Sequence, residues 1–361
     1  VTKLKPKWKQ TFRRKLLAWY AKHERDLPWR RSSDPYRVWV SEVMLQQTQV
    51  ETVKAYFQRF MKAFPTVRKL AAADEQQVLL LWEGLGYYRR ARGLHAAAKV
   101  IVEEHGGKFP SDVHTLMKLP GIGRYTAGAI VSIAFDKPAP ILEANTIRLF
   151  ARLVGYREDP TKSAGQKVLW ATAEKLLPKK NVARFNQALM ELGSLVCKPA
   201  MPMCSECPAK SVCETNRLGL QAEIPASKKK QKFTDVREAA VVVRKKNQLL
   251  VRQCAEGERW AGLWDFPRFE VDAEGPLFVH KELATKVADQ TGIVIGNAQL
   301  MKTLKHGVTR FRITLDCYDA EFKSGRVRSS KAKPVRWIDA KELAELPLSV
   351  TGRKIAKLVC S

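Results

Sequence analysis

The most constraining stretch of this 361-residue chain is a short run of cysteines. Cys197, Cys204, Cys207 and Cys213 fall within 17 residues in the pattern C-x6-C-x2-C-x5-C, while the other three of the seven cysteines, Cys254, Cys317 and Cys360, are scattered. An odd total with one tight group reads as an intracellular metal site plus ordinary thiols, not as a disulfide framework. Four-cysteine zinc sites usually come as two C-x2-C knuckles separated by a longer spacer. Here one C-x2-C pair has unequal arms on either side, in a loop shaped by Pro199, Pro202 and Pro208. Ligation of an iron–sulfur cubane by four thiolates fits that spacing better, with zinc the alternative.

Length argues for two domains. From Lys9 to about Arg217 the apolar periodicity is helical. Helices are predicted for Tyr36–Leu45 behind an Asp34-Pro35 start, from Val50 past Phe60, and over 74–81, 92–104, 125–135, 144–153 and 163–177. Around 223–232 a Pro, a Ser and a basic run replace the apolar residues, which reads as a linker. Beyond it the alternation is that of strands at 237–243, 248–252, 303–306 and 311–320, with helices at 280–291 and near 340–346. The expectation is a multi-domain chain: an all-α domain over 1–218, a linker over 219–234 and an α+β domain over 235–361.

Charge narrows the partner. Sixty-four Lys and Arg against 36 Asp and Glu leave a formal charge of +28. Such an excess costs self-repulsion and is usually tolerated because the partner is a polyanion, here nucleic acid. The first 23 residues mix Lys and Arg with Trp8, Phe12, Leu16 and Tyr20, which makes a basic amphipathic helix and not a signal peptide. A cytoplasmic protein is expected.

Leu119-Pro120-Gly121-Ile122-Gly123-Arg124-Tyr125 has the form of a turn between two helices. Gly121 and Gly123 permit unusual φ values and let main-chain N–H groups approach a phosphate, with the next helix adding its dipole. Glu143 follows 18 residues after Tyr125, just before a predicted helix, where an acid is ordinarily a cap. Glu42 lies on a helix among apolar neighbours, which would raise its pKa and let it donate a proton near neutral pH.

These motifs together resemble the MutY family of adenine glycosylases, which shares a helix-hairpin-helix fold with endonuclease III. The cysteine spacing matches the four-iron four-sulfur loop of both groups. The resemblance implies Glu42 as general acid and Glu143 as catalytic carboxylate, with Tyr125 and Asn145 positioning them. The family pattern at Glu143 usually has Asp; Glu143, Ala144 and Thr146 depart from it, while Asn145 and Arg148 match. Asp26-Leu27-Pro28-Trp29-Arg30 resembles the family's adenine-pocket entry, so Arg25, Trp29, Arg30, Leu45, Val50 and Gln187 are expected around the adenine. Trp82–Arg92 resembles its intercalating loop. Gln47, Thr48, Leu85, Tyr87, Gly121 and Gly123 are expected at the DNA. Endonuclease III enzymes carry a lysine where Tyr125 stands, and a phenol cannot form the Schiff base that cuts the strand. A monofunctional glycosylase, acting as a monomer on duplex DNA with an 8-oxoguanine:adenine mispair, is implied.

Trp260-Ala261-Gly262-Leu263-Trp264-Asp265-Phe266-Pro267 is similar to a Nudix stretch. A Nudix hydrolase needs several carboxylates on one helix for magnesium, and Thr285–Gly292 lacks the Arg-Glu and Glu-Glu pairs. A binding module is expected instead. In the family it reads 8-oxoguanine through a loop ending Phe-Ser-His, for which this chain has Val308, Thr309 and Arg310. The competing expectations are an endonuclease III-like enzyme for oxidised pyrimidines and a lesion-binding form impaired at Glu143.

Overall fold

The structure, a computed structural model, describes residues 4–226, 232–272 and 276–360. Of the basic run at Lys228–Lys232, only Lys232 falls among them. The helical half contains α1 (Pro6–His23), α2 (Pro35–Leu45), α3 (Val50–Ala63), α4 (Val67–Ala71), α5 (Glu75–Trp82), α6 (Arg89–His105), α7 (Val113–Met117), α8 (Arg124–Phe135), α9 (Ala144–Val154), α10 (Ser163–Leu176), α11 (Val182–Leu195) and α12 (Glu214–Leu218). The second half contains β1 (Thr234–Lys245), β2 (Gln248–Gln253), β3 (Trp264–Asp265), β4 (Arg268–Glu270), α13 (Pro276–Thr291), β5 (Ile293–Val308), β6 (Phe311–Gly325), β7 (Val335–Asp339) and α14 (Val350–Cys360). No helix among the described residues is long and apolar enough to cross a membrane.

Local chemistry accounts for several helix starts. Asp34 accepts from the Tyr36 N–H and Pro35 fills the first turn of α2, where its missing N–H costs nothing. Asp74 caps α5 and Asp112 caps α7 in the same way. The 340–346 prediction is corrected: the segment is a 3-10 turn over Ala340–Ala344, closed by an Asp339–Glu342 capping box.

The described residues form two compact units. One is the chain up to Ala73 together with the stretch from Arg89 to the linker. The other joins Asp74–Tyr88 to everything after the linker, an allocation that helical periodicity does not reveal. In the helical unit, Phe12, Leu16 and Tyr20 of α1 pack with Phe150 and Leu153 of α9 and with Phe185, Leu189 and Leu192 of α11.

The second unit is built on a seven-stranded mixed sheet whose main path runs β3-β2-β1-β6-β5, with β4 paired to β1 and β7 to β2. Among the paired strands of the described residues, only β1 and β6 run parallel. Both faces are covered: Ala240, Val242, Leu315 and Ile355 share one core, and Val241, Val243, Leu283 and Val287 share the other. That is why residues 239–243 read as an unbroken apolar run. The strand at 303–306 is the end of a longer one, β5, whose register shifts at Val294/Ile295, Ile295/Ala298 and Leu300/Lys302 break the alternation before it.

Candidate active site

One cleft of about 990 Å³ in the helical unit gathers most of the expected residues. The end of α2 supplies Glu42 and Leu45, and Gln47, Thr48 and Val50 follow from the turn into α3. Gly121, Gly123 and Tyr125 come from the α7–α8 hairpin, Glu143 and Asn145 from the start of α9, and Gln187 from α11. Arg25, Trp29 and Arg30 complete the wall.

Glu42 is 5% exposed, and its Oε2 accepts a 2.5 Å hydrogen bond from the Tyr125 hydroxyl. Burial pushes its carboxyl up to about 7, against the pull of the Tyr125 hydrogen bond, with Glu143 adding a further upward push. Burial holds the Tyr125 phenol well above its ordinary value too, so it stays neutral and keeps donating. A buried acid that retains its proton near pH 7 can act as a general acid.

Glu143 caps α9. Its Oε1 accepts from the Thr146 N–H at 2.9 Å, its Oε2 from the Asn145 N–H at 2.8 Å and from Asn145 Nδ2 at 3.2 Å. Thr146 Oγ1 in turn accepts from the Glu143 N–H, closing a capping box. Burial raises the Glu143 pKa, while the donors at the helix start oppose the shift. Asn145 is itself held: Arg148 Nη2 donates to its Oδ1 at 2.9 Å and to the Gly193 carbonyl at 2.8 Å, and Arg148 Nε donates to the Cys197 carbonyl.

Three partners were not legible in the sequence. Glu191 is fully buried and takes a bidentate pair from Arg25, at 2.7 and 2.8 Å, plus a second pair from Arg30. Its pKa lies below the usual carboxylate range: burial opposes the shift and is outweighed by the two guanidinium groups. The guanidiniums of Arg25 and Arg30 are thus committed to a wall of the cleft. Arg90 closes the end of α2 by donating to the carbonyls of Val43, Met44 and Gln46, and it reaches Thr48 Oγ1. Tyr20 donates to Gln187 Oε1 at 3.1 Å, which leaves the amide's NH2 as its donor for a ligand. A Glu three turns into a helix or an Arg at a helix start carries no local signal of such pairing.

The hairpin glycines differ. Gly121 has φ +73, as expected, and lies against Gly93 of α6, where an added Cβ would sit 3.3 Å from its Cα. Gly123 does not need an unusual φ: it sits at −89 as the N-cap of α8, with open space where a Cβ would go. Its bareness keeps the helix N-terminus accessible.

Residues 40–175 match the model of the HhH-GPD superfamily base excision DNA repair proteins, and residues 238–358 match the NUDIX domain. The chain is 43% identical over 269 residues to the adenine DNA glycosylase of Rattus norvegicus, covering 71% of this chain and 51% of that protein. It is 38% identical over 260 residues to that of Buchnera aphidicola, covering 72% of this chain and 75% of the relative. The chain belongs to the adenine DNA glycosylase family. It spans about half the length of the rodent members it matches, 51% and 57%. Among solved structures, a thermostable thymine-DNA glycosylase aligns with TM-score 0.55 and 27% identity over 60% of this chain and all of its own. Endonuclease III in a non-covalent DNA complex, at TM-score 0.50 and 24% identity over 59% of this chain and 98% of its own, shares the fold.

Elsewhere in this member of the adenine DNA glycosylase family, the four clustered cysteines line one pocket with Leu149, Leu153 and Val196. Burial pushes the Cys207 thiol up to about 12 and the Cys213 thiol to about 11. Arg152 is buried beside them, with Nη1 3.5 Å from Cys197 Sγ and its other donors on the carbonyls of Lys198, Pro199, Gln221 and Ile224. Among the described residues no three His, Cys, Asp or Glu side chains converge as one metal ion requires.

The remaining expected residues lie in the second unit. Tyr87 is half exposed with φ +50, at the end of a turn in which Gly84 and Gly86 also have positive φ. Leu85, expected beside it at the DNA, is 6% exposed and packed inward. Thr309 and Arg310 form the exposed turn joining β5 to β6, flanked by the paired Val308 and Phe311. Thr309 takes φ +52 there, and the Arg310 guanidinium lies 5.2 Å from the Phe311 ring centre.

Proposed function

We propose that this chain is a monofunctional DNA glycosylase that excises adenine mispaired with 8-oxoguanine, or with guanine, from duplex DNA and leaves an abasic site. One observation carries the reading: a buried carboxyl with a pKa of about 7, held by a tyrosine, shares a cleft with a second carboxylate fixed at a helix start. In the proposed reaction the adenosine is flipped into the cleft, where Arg25, Trp29, Arg30, Leu45, Val50 and Gln187 surround the base. Gln47, Thr48 and Tyr87 contact the DNA left behind, and Gly121 and Gly123 hold a phosphate. Glu42 gives its proton to adenine N7. The C1′–N9 bond then breaks, with its electron pair leaving on neutral adenine. Glu143 stabilises the oxocarbenium-like sugar, water adds at C1′, and its proton returns to a carboxylate. Tyr125 keeps Glu42 in place and Asn145 keeps Glu143.

The pocket lined by Cys197, Cys204, Cys207 and Cys213 would suit a four-iron four-sulfur cluster, which these four thiols would hold as thiolates. When bound, the cluster would fix the loop as a covalently cross-linked unit. Val308, Thr309 and Arg310 are the proposed contacts to 8-oxoguanine.

The test is a single-turnover assay on a duplex with one 8-oxoguanine:adenine pair. Strand breakage at the adenine only after alkali supports the proposal; breakage without alkali, or base release from a parallel duplex carrying an oxidised pyrimidine in place of that pair, overturns it. Departure from Asp at Glu143 favours a second reading, a form that binds the mispair and excises slowly. The longer side chain has both oxygens committed to the α9 cap, and misplacement by about 1 Å can cost about a hundredfold in rate. Glu143→Asp should then raise the excision rate constant by about tenfold to a hundredfold. An unchanged or lower rate would mean the backbone already accommodates Glu.

A further inference from the structure

The segment Asp74–Tyr88 leaves the helical unit and is fastened to the second unit at three points. Gln76 Nε2 donates to the Gly262 carbonyl at 3.1 Å, while its Oε1 accepts from Trp264 Nε1 at 3.0 Å. Tyr88 donates its hydroxyl proton to the Leu348 carbonyl at 3.3 Å. Glu83 takes the strongest contact: Arg353 Nε donates to Oε1 at 2.7 Å and Arg353 Nη2 to Oε2 at 2.8 Å, and the Leu348 N–H donates to Oε2 at 3.0 Å.

Arg353 is unusually well placed for this. It sits in the first turn of α14, and its remaining N–H groups bond the carbonyls of Leu343 and Leu346, so the guanidinium is anchored before it reaches Glu83. The pair is mostly shielded, with the side chains 23% and 15% exposed. Fork-to-fork geometry of this kind fixes orientation as well as distance. Immediately after Glu83 comes the turn with Gly84 at φ +99 and Gly86 at +70, ending in Tyr87 at +50, a backbone that an L side chain adopts only when its surroundings impose it. Trp82 Nε1 donates to the Gly86 carbonyl and closes the turn from the other side.

We propose that Arg353 is a positioning residue for the Gly84–Tyr87 turn: through Glu83 the C-terminal unit sets the angle at which Tyr87 is offered to the duplex. The inference rests on the proposed DNA-repair reading for the duplex, but the clamp itself is a property of the free protein. Engagement of the C-terminal unit and insertion of Tyr87 would then be one event. A wedge held this way is pre-organised, which lowers the ordering cost of binding.

The full chain would be compared with Arg353→Met, Glu83→Gln, Tyr87→Ala and the pairwise doubles. In the free protein, amide hydrogen exchange over 84–88 should quicken by about tenfold in either clamp variant, since a charge-assisted pair of this kind is lost. On an 8-oxoguanine:adenine duplex carrying 2-aminopurine beside the lesion, each single variant should lose unstacking fluorescence and weaken binding by about tenfold. Adding Arg353→Met to Tyr87→Ala should cost nothing more, and the two clamp variants should not add. If the Arg353→Met and Tyr87→Ala losses multiply, or if exchange over 84–88 is unchanged, the proposal is overturned. A parent protein that fails to prefer the lesion duplex would defeat the repair reading instead, while the exchange measurement still decides the clamp. Glu83→Gln keeps the side chain's size and one acceptor, so it serves if Arg353→Met does not fold.

Discussion

Glu42 binds its proton more tightly in the folded chain than the ordinary carboxyl value of 4.5 allows, because burial disfavours the charge. Two consequences follow from the raised value of about 7. Excision under single turnover should be level in mildly acid solution and fall about tenfold per pH unit above it, as the proposed general acid is lost. Stability should behave in the same sense: the contribution of this group is complete below pH 4.5 and disappears as pH rises through about 7, where folding must accept a buried charge. Glu42→Gln keeps an acceptor for the Tyr125 hydroxyl and has no proton to lose. It should therefore abolish base loss, yet melt higher than the parent at pH 8.5 while showing little advantage at pH 5.5. Equal melting differences at the two pH values would show that the Glu42 carboxyl is not desolvated. The sequence already showed an acid among apolar neighbours. It did not show that Glu191, on another helix, would be just as buried yet remain ionised, because that depends on Arg25 and Arg30 arriving from a loop more than 160 residues away in sequence.

Glycines at helix contacts separate building from binding. Gly193 of α11 faces the start of α9, and a Cβ there would meet Asn145 Cβ at 2.8 Å and its carbonyl at 3.1 Å. Gly193→Ala must displace Asn145, and overpacking of this kind costs about 1–3 kcal/mol. It should lower both the melting temperature and the excision rate. Gly128→Ala, whose Cβ would lie 2.3 Å from the Pro140 carbonyl, should lose at least as much stability. Gly123→Ala meets nothing within 4 Å. It should change stability by less than about 1 kcal/mol while weakening duplex binding, since the methyl group would crowd the proposed phosphate site. Calorimetry paired with a binding titration distinguishes the three, and equal losses of both properties at Gly123 would remove it from the DNA surface. Element by element, long amphipathic helices were legible because one face meets a core. The bulged start of β5 and the two-residue β3 were not, because their pairing is set by partners distant in sequence.

At the scale of the molecule, the two halves announce themselves by a change of hydrophobic period, but the allegiance of Asp74–Tyr88 does not. Its helix signal is satisfied equally by any apolar neighbour, and the choice is made by Gln76, Glu83 and Tyr88 meeting residues 186 to 270 positions away. Charge acts on the same scale. A formal +28 cannot be neutralised by the ion pairs within the chain, so a polyanion gains by replacing the counterions that it releases. Binding to any duplex should therefore weaken linearly in log–log terms with salt. If six to ten phosphates are neutralised, the loss between 50 and 200 mM is about a thousandfold to a hundred-thousandfold. The rate constant of base loss once bound should barely move, because Glu42 is buried and its interactions lie inside the screening length. Titrations at four salt concentrations, each followed by single turnover at saturating enzyme, separate the two. A flat binding curve would mean that the excess charge serves something other than the phosphate backbone. A rate constant falling in step with affinity would mean that the cleft is open to salt, and hence that Glu42 is not shielded during the reaction.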